Sequence, residues 1–155
     1  MTISSLAEFA RAFDISTQRE QRSITQYIRD LAIKVADWRL PVSSLSGGNQ
    51  QKVIIARALM TAPKVLLMDE PSRGIDVGAK ADIFKVMRDL AVKGLGILFV
   101  TSDLEEVMAL SDRILVMSNG RVTAEFDASE ATQDALVAAS AVGHSTALPE
   151  QRAAA

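Results

Sequence analysis

The sequence predicts an α/β fold built on a parallel sheet, and three observations carry that expectation. First, Val65-Leu66-Leu67-Met68 and Ile97-Leu98-Phe99-Val100 are short continuous apolar runs, the form of strands buried on both faces of a parallel sheet. Second, residues 78 to 93 between them place Ala81, Ile83, Phe84, Val86, Met87, Leu90 and Ala91 at helical intervals and stop at Lys93-Gly94, a helix with a glycine end. Third, Asp69 and Glu70 directly follow the first run, where an open α/β sheet presents groups to a ligand. A strand, helix, strand crossover results, a connection that is right-handed in nearly all known cases.

The flanking elements follow from the same periodicities. Residues 5 to 13 and about 19 to 36 carry apolar positions at helical spacing, with Asp14 to Thr17 as a polar link suited to cap the second helix. Trp38 to Leu45, with Pro41 and two serines, reads as a loop. Val53, Ile54, Ala56, Ala58, Leu59 and Met60 then form a mostly buried helix stopped by Ala62-Pro63. Beyond the crossover, a short helix from Asp103 to Leu110 leads to Arg113–Met117 and Val122–Phe126, joined across Asn119-Gly120. Asn-Gly between two strand-like runs signals a hairpin, since both residues tolerate positive φ in a type I′ turn. A last helix is expected over 129 to 140, and from Gly143 the absence of amphipathic pattern predicts a disordered tail.

Composition narrows the function classes. The 155 residues are 48% hydrophobic and 23% charged, an ordinary globular balance in the size range of one domain. Seventeen basic and nineteen acidic residues leave a formal charge of −2 with no basic block, which argues against a nucleic-acid partner. The lack of cysteine excludes disulfides and thiolate metal sites. No apolar run approaches the roughly 18 residues of a membrane span, and Met1-Thr2-Ile3-Ser4-Ser5 lacks the basic start of a signal peptide. Any membrane role is therefore expected to come through a partner.

Two constellations carry chemistry. Gly47 and Gly48 open a helix and leave its first backbone N–H groups uncovered by any Cβ, so those groups and the helix dipole favour a phosphate oxygen, with Ser46 adding a hydroxyl. The plainer alternative is that Ser46 is an N-cap and the glycines permit a tight turn. At the end of the first apolar run, one carboxylate, Asp69, suits Mg²⁺ held through water, and the next, Glu70, suits orienting the water that attacks a γ-phosphate. The sequence contains no G-x-x-x-x-G-K-[ST] loop to cradle phosphates. Gly74 to Lys80 does not substitute for it, because lysine does not follow its second glycine and no Ser or Thr comes next.

With these residues in view, the chain resembles the ATP-binding subunits of ABC transporters. Leu45 to Gln50 is similar to the family's signature motif, Val65 to Glu70 to its Walker B strand and Ser72 to Asp76 to its D-loop. Asn49-Gln50-Gln51-Lys52, Ser72 to Gly78, Ser111 to Met117 and Ala131-Thr132-Gln133 resemble most the second nucleotide-binding domain of ribose- and galactose-type sugar importers, over about residues 5 to 143. The resemblance implies a partial P-loop NTPase-type sheet without its phosphate-loop half. Residues 1–45 would be part of a helical subdomain, 46–142 the C-terminal part of the ATPase core and 143–155 the tail. It implies ATP and Mg²⁺ as cofactors, with Ser46, Gly47, Gly48, Gln50 and Asp76 on the nucleotide, Asp69 on the metal, and Glu70 and Ser102 in catalysis. Ser102 stands where the family has a switch histidine, and unlike histidine it cannot become cationic near neutral pH.

The resemblance further implies a head-to-tail dimer with another nucleotide-binding domain, a membrane permease and, indirectly, a periplasmic sugar-binding protein. The place implied is the cytoplasmic face of the plasma membrane. In such a dimer Ser46 to Gly48 act in trans on an ATP held by the partner, whereas Asp69 and Glu70 need a phosphate cradle beside them. The alternative is a non-enzymatic dimerisation or regulatory module without ATPase activity of its own. Without a strand ahead of the missing loop, Val65–Met68 is expected to keep an unpaired edge and bare apolar faces, at about 25 cal/mol per Å² left wet. Glu105-Glu106 reads as a solvated helix face, Tyr27 and Trp38 as packed within the helical segment, and His144 as a tail residue without a role.

Overall fold

A computed structural model of the chain describes residues 10, 11, 14, 15 and 17–142. The chain divides into two compact units, residues 1–100 and 101–155. The first opens with an antiparallel pair, β1 (Ala10–Arg11) and β2 (Asp14–Ile15). The helix expected over 5 to 13 is therefore not formed at residues 10 and 11, and the rest of that stretch lies outside the described residues. A helix so short gains little from its own hydrogen bonds, and strand pairing prevails.

Helix α1 spans Thr17–Asp30 and stops short of the expected residue 36. Its end is a Schellman motif: Ile33 N–H donates to Ile28 O at 2.8 Å and Ala32 N–H to Arg29 O at 3.1 Å. Ala32 holds the left-handed position, φ 47°, where glycine is usual. After a 3₁₀ turn at Val42–Ser44, α2 runs over Gly47–Leu59 and buries Gly48, Lys52, Val53, Ile55 and Ala56.

β3 (Val65–Asp69) pairs in parallel with β4 (Gly96–Val100), and α3 (Val77–Val92) connects them. The register runs from Val65 opposite Gly96 to Asp69 opposite Val100. The glycine stop is present, with Gly94 at φ 90° and Leu95 N–H donating to Leu90 O at 3.2 Å. Burial on both strand faces is not. Leu66 and Met68 are buried, but Leu67 is 71% exposed and Leu98 56% exposed. The crossover helix α3 packs on β4 and can cover one face only. Among the described residues β3 and β4 each have a single hydrogen-bonded neighbour, so each keeps a free edge, as the sequence predicts for Val65–Met68.

The second unit contains α4 (Leu104–Leu110), β5 (Arg113–Ser118), β6 (Arg121–Asp127) and α5 (Gln133–Ser140). β5 and β6 form the expected hairpin, with φ 49° at Asn119 and 75° at Gly120, the two positive values a type I′ turn requires. Ile114 and Val116 bury their side chains with Ala131, Leu136 and Ala139 from the α5 segment. The Thr123 hydroxyl ties β6 to α5 by donating to Ala139 O at 2.9 Å. α5 begins at Gln133, later than the predicted 129, because Thr132 caps it by accepting from Ala135 N–H at 3.2 Å. The tail predicted from Gly143 lies outside the described residues.

Candidate functional site

The amino end of α2 forms the first part of the site. Ser46 occupies the N-cap position in extended conformation, φ −62° and ψ 155°, yet its side chain makes no capping bond. Its Oγ instead accepts a hydrogen bond from Asn49 Nδ2 at 2.8 Å. The side-chain N-cap reading of Ser46 is thereby excluded, and the N–H groups of the first helical turn have no partner within the helix. Gln50 Nε2 donates to Leu45 O at 2.8 Å, so this amide closes the turn ahead of the helix.

The two glycines are explained by close approach. A Cβ on Gly48 would collide with the methyl of Ala79 in the first turn of α3, and one on Gly47 would come within 3.2 Å of Ile75 Cγ2. The open end of α2 therefore lies directly against the Gly74–Ala79 turn. Asp76 stands in that turn as the N-cap of α3, accepting from Ala79 N–H at 2.9 Å. Ser46, Gly47, Gly48 and Asp76 are thus brought into one neighbourhood, framed by the amino ends of two helices.

Asp69 and Glu70 sit at the carboxyl end of β3, as predicted. Asp69 is exposed, and Glu70 is half-buried with φ 44°, a left-handed conformation uncommon for a side chain of this size. That backbone is held from both sides: Glu70 N–H donates to Val100 O at 2.8 Å, and Glu70 O accepts from Arg73 N–H at 3.1 Å. Pro71 and Ser72 behind it are buried. Ser102 belongs to the second unit and is exposed. Behind it, Thr101 Oγ1 donates to Glu106 Oε2 at 2.9 Å and accepts from Asp103 N–H at 3.1 Å. Glu106 is only 3% exposed, which corrects the expectation of a solvated Glu105-Glu106 face: Glu105 is exposed, and Glu106 turns inward to the threonine. Trp38 is 36% exposed, with the Arg39 guanidinium 5.2 Å from its ring centroid, so it is less packed than the sequence predicts.

Sequence reasoning missed Asn49 and Lys52 as organising residues. Asn49 Oδ1 accepts from Lys34 N–H at 2.8 Å. Lys52, 3% exposed, donates to Asp82 Oδ2 at 2.9 Å and to Ala32 O at 3.3 Å. The Lys52 hydrogen bond and charge, helped by Lys34 and Lys85, hold the Asp82 carboxyl below its ordinary value. A signal existed: Lys52 falls on the stripe of Gly48, Ile55 and Ala56, the buried side of α2, where a lysine requires a partner.

Among the described residues no group of three or more His, Cys, Asp or Glu could encage a metal. A lone exposed carboxylate such as Asp69 fits an ion that keeps most of its water and takes its remaining ligands from phosphate, which is the habit of Mg²⁺. Among the same residues no helix is long and apolar enough to cross a membrane.

These elements form part of an α/β domain. Residues 2–73 match the family model described as ABC transporter. The chain is 47% identical over 142 residues to the ribose import ATP-binding protein RbsA of Chromobacterium violaceum, covering 92% of this chain and 28% of that protein. It is 45% identical over 139 residues to the xylose import ATP-binding protein XylG of Pseudomonas fluorescens, covering 90% of this chain and 27% of that one. The ADP conformation of an ATP-binding cassette of an ABC transporter, MJ1267, superposes with a TM-score of 0.64 at 30% identity, over 78% of this chain and 47% of that one. An inward-facing metal-chelate type ABC transporter superposes with a TM-score of 0.75 at 21% identity, over 89% and 54% of the two chains, a likeness of fold alone. Over nine-tenths of its own length the chain is similar to ATP-binding proteins of ABC transporters, and it spans little more than a quarter of the length of the curated relatives it matches.

Proposed function

We propose that this chain acts within a sugar-import ATP-binding protein, where Ser46, Gly47 and Gly48 engage an ATP held in the phosphate loop of a second nucleotide-binding domain. The open, uncapped amino end of α2 carries this reading. It offers unpaired N–H donors and a serine hydroxyl, and it stands beside the Asp76 turn. The names of the ribose and xylose relatives support the transport class.

The remaining roles follow from position and chemistry. Asp69 would hold Mg²⁺ through water, and the charge such an ion supplies would suit the phosphates. Glu70 orients the attacking water from the end of β3. Ser102 contributes a hydrogen bond where an imidazole would add charge. Gln50 shapes the Leu45 turn, and Asp76 fixes the first turn of α3 against Gly48. The partners are a second nucleotide-binding domain, a membrane permease and, through it, a periplasmic sugar-binding protein, with the chain on the cytoplasmic face of the membrane.

The test is sedimentation of the pure chain with a phosphate-loop-bearing domain of a ribose import ATP-binding protein whose own hydrolysis is blocked, with and without MgATP. Association that strengthens on adding MgATP supports the proposal; equal association in both conditions overturns it. Calorimetry of the chain alone is expected to show only weak ATP binding.

A further inference from the structure

We infer that Asn49 is a positioning residue that aims the Ser46 hydroxyl at the nucleotide, and that it ties this aim to the chain segment after α1. The inference rests on the proposed trans contact and adds a residue to it.

The orientation of the Asn49 amide is fixed by its surroundings. The backbone N–H of Lys34 can only donate, so the atom facing it at 2.8 Å is the carbonyl oxygen Oδ1. The other end is then the NH₂ group, which donates to Ser46 Oγ at 2.8 Å. A hydroxyl has one proton and two lone pairs. With one lone pair taken by Asn49 and no capping bond to the helix, the Ser46 proton is left to donate away from Asn49. A hydroxyl that already accepts a hydrogen bond is also polarised as a donor. The serine is thereby preset as a donor to an anion, which a freely rotating side chain would have to pay for in entropy on binding.

The same amide couples two regions. Asn49 sits in the first turn of α2 and grips the backbone at Lys34, two residues past the left-handed Ala32 that ends α1. Lys52, one turn further along α2, grips the Ala32 carbonyl. A shift of the 32–34 segment moves the Asn49 carbonyl and with it the donor that sets Ser46. Partner contacts that pull on α1 therefore reach the phosphate-facing hydroxyl through one side chain.

The experiment is a double-mutant cycle on the MgATP-dependent dissociation constant between the full chain and the hydrolysis-blocked partner domain. Ser46→Ala is expected to weaken association about tenfold and Asn49→Ala about three- to tenfold, the range for losing or misdirecting one hydrogen bond. The double variant is expected to be no weaker than Ser46→Ala, because Asn49 acts through the hydroxyl. Asn49→Asp guards against misfolding: it keeps an acceptor for Lys34 N–H but captures the Ser46 proton. It is expected to weaken MgATP-dependent association while leaving the melting temperature unchanged. Losses that multiply in the double variant, or an Asn49→Ala effect under about twofold, overturn the inference while the unsubstituted chain still responds to MgATP. If the unsubstituted chain shows no such response, the trans contact itself falls, and the role of Asn49 with it.

Discussion

Lys52 Nζ lies 2.9 Å from Asp82 Oδ2, joining the buried side of α2 to α3. The pair is asymmetric: the lysine side chain is 4% exposed and the aspartate 52%. Removing the acid strands a buried ammonium with only the Ala32 carbonyl, whereas removing the lysine leaves a carboxylate that water already reaches. Asp82→Ala is expected to destabilise the first unit by about 2 kcal/mol, less than a fully buried pair would cost. Lys52→Met, which keeps the apolar stem, is expected to cost about 1 kcal/mol or less. Urea unfolding of both variants tests the order; equal losses would mean that the ion pair does not govern the contact.

The same pair sets an acid limb on stability. Asp82 is held below its ordinary value in the folded chain, so its contribution is fully present above the unfolded carboxylate range. It is lost as pH falls through the depressed folded value. The urea midpoint of the native chain should therefore drop as the pH falls below the ordinary carboxylate range, and Lys52→Met should flatten that drop. An unchanged acid limb in Lys52→Met would assign the effect to other carboxylates.

Gly48 packs directly against Ala79 of α3, so the contact between the two helices by itself requires a glycine at this position. Gly48→Ala is expected to cost about 1–3 kcal/mol through overpacking. Ala79→Gly should restore part of that loss by vacating the same space, although glycine inside a helix itself costs about 1 kcal/mol. Thermal melts of the single and double variants check this, and a double variant as unstable as the sum of the two singles would disprove the contact.

What the sequence made legible was local. The alternation of apolar runs and helical spacing located β3, α3 and β4, the Asn119-Gly120 pair announced its hairpin, and Asp69-Glu70 was placed correctly at a strand end. What it hid was set by distant partners. α1 ends at Asp30 because Asn49 and Lys52, far along the chain, hold the backbone at Lys34 and Ala32 in a non-helical path. Glu106 is buried because Thr101 in the preceding loop offers it a hydroxyl, which no helical periodicity reveals. The bare face of β3 agrees with the expectation that its cover is missing: an apolar run reports what a strand tolerates on both sides, whereas burial depends on what is present to cover it.

Ala32 carries a strain that a single substitution should relieve. Its φ of 47° costs an L-residue roughly 1 kcal/mol and costs glycine almost nothing. The residue is exposed, and the bonds it makes, its N–H donating to Arg29 O and its carbonyl accepting from Lys52 Nζ, use backbone atoms that glycine retains. Ala32→Gly is expected to stabilise the first unit by about 0.5–1 kcal/mol, the reverse of the usual effect of this exchange. A lower melting temperature would show that the left-handed turn is not populated in solution.

Leu67 and Leu98 face solvent opposite each other in the parallel register of β3 and β4, with Val65 and Val100 exposed on the same two strands. Bare apolar surface beside free strand edges favours association of the isolated chain. Leu67→Thr paired with Leu98→Thr introduces β-branched side chains suited to strands and removes much of the apolar area. Because both positions are exposed, unfolding free energy should change by less than about 1 kcal/mol, while the sedimentation coefficient at high concentration shifts toward that of a monomer. Association that persists unchanged in the double variant would locate the adhesive surface elsewhere on the chain.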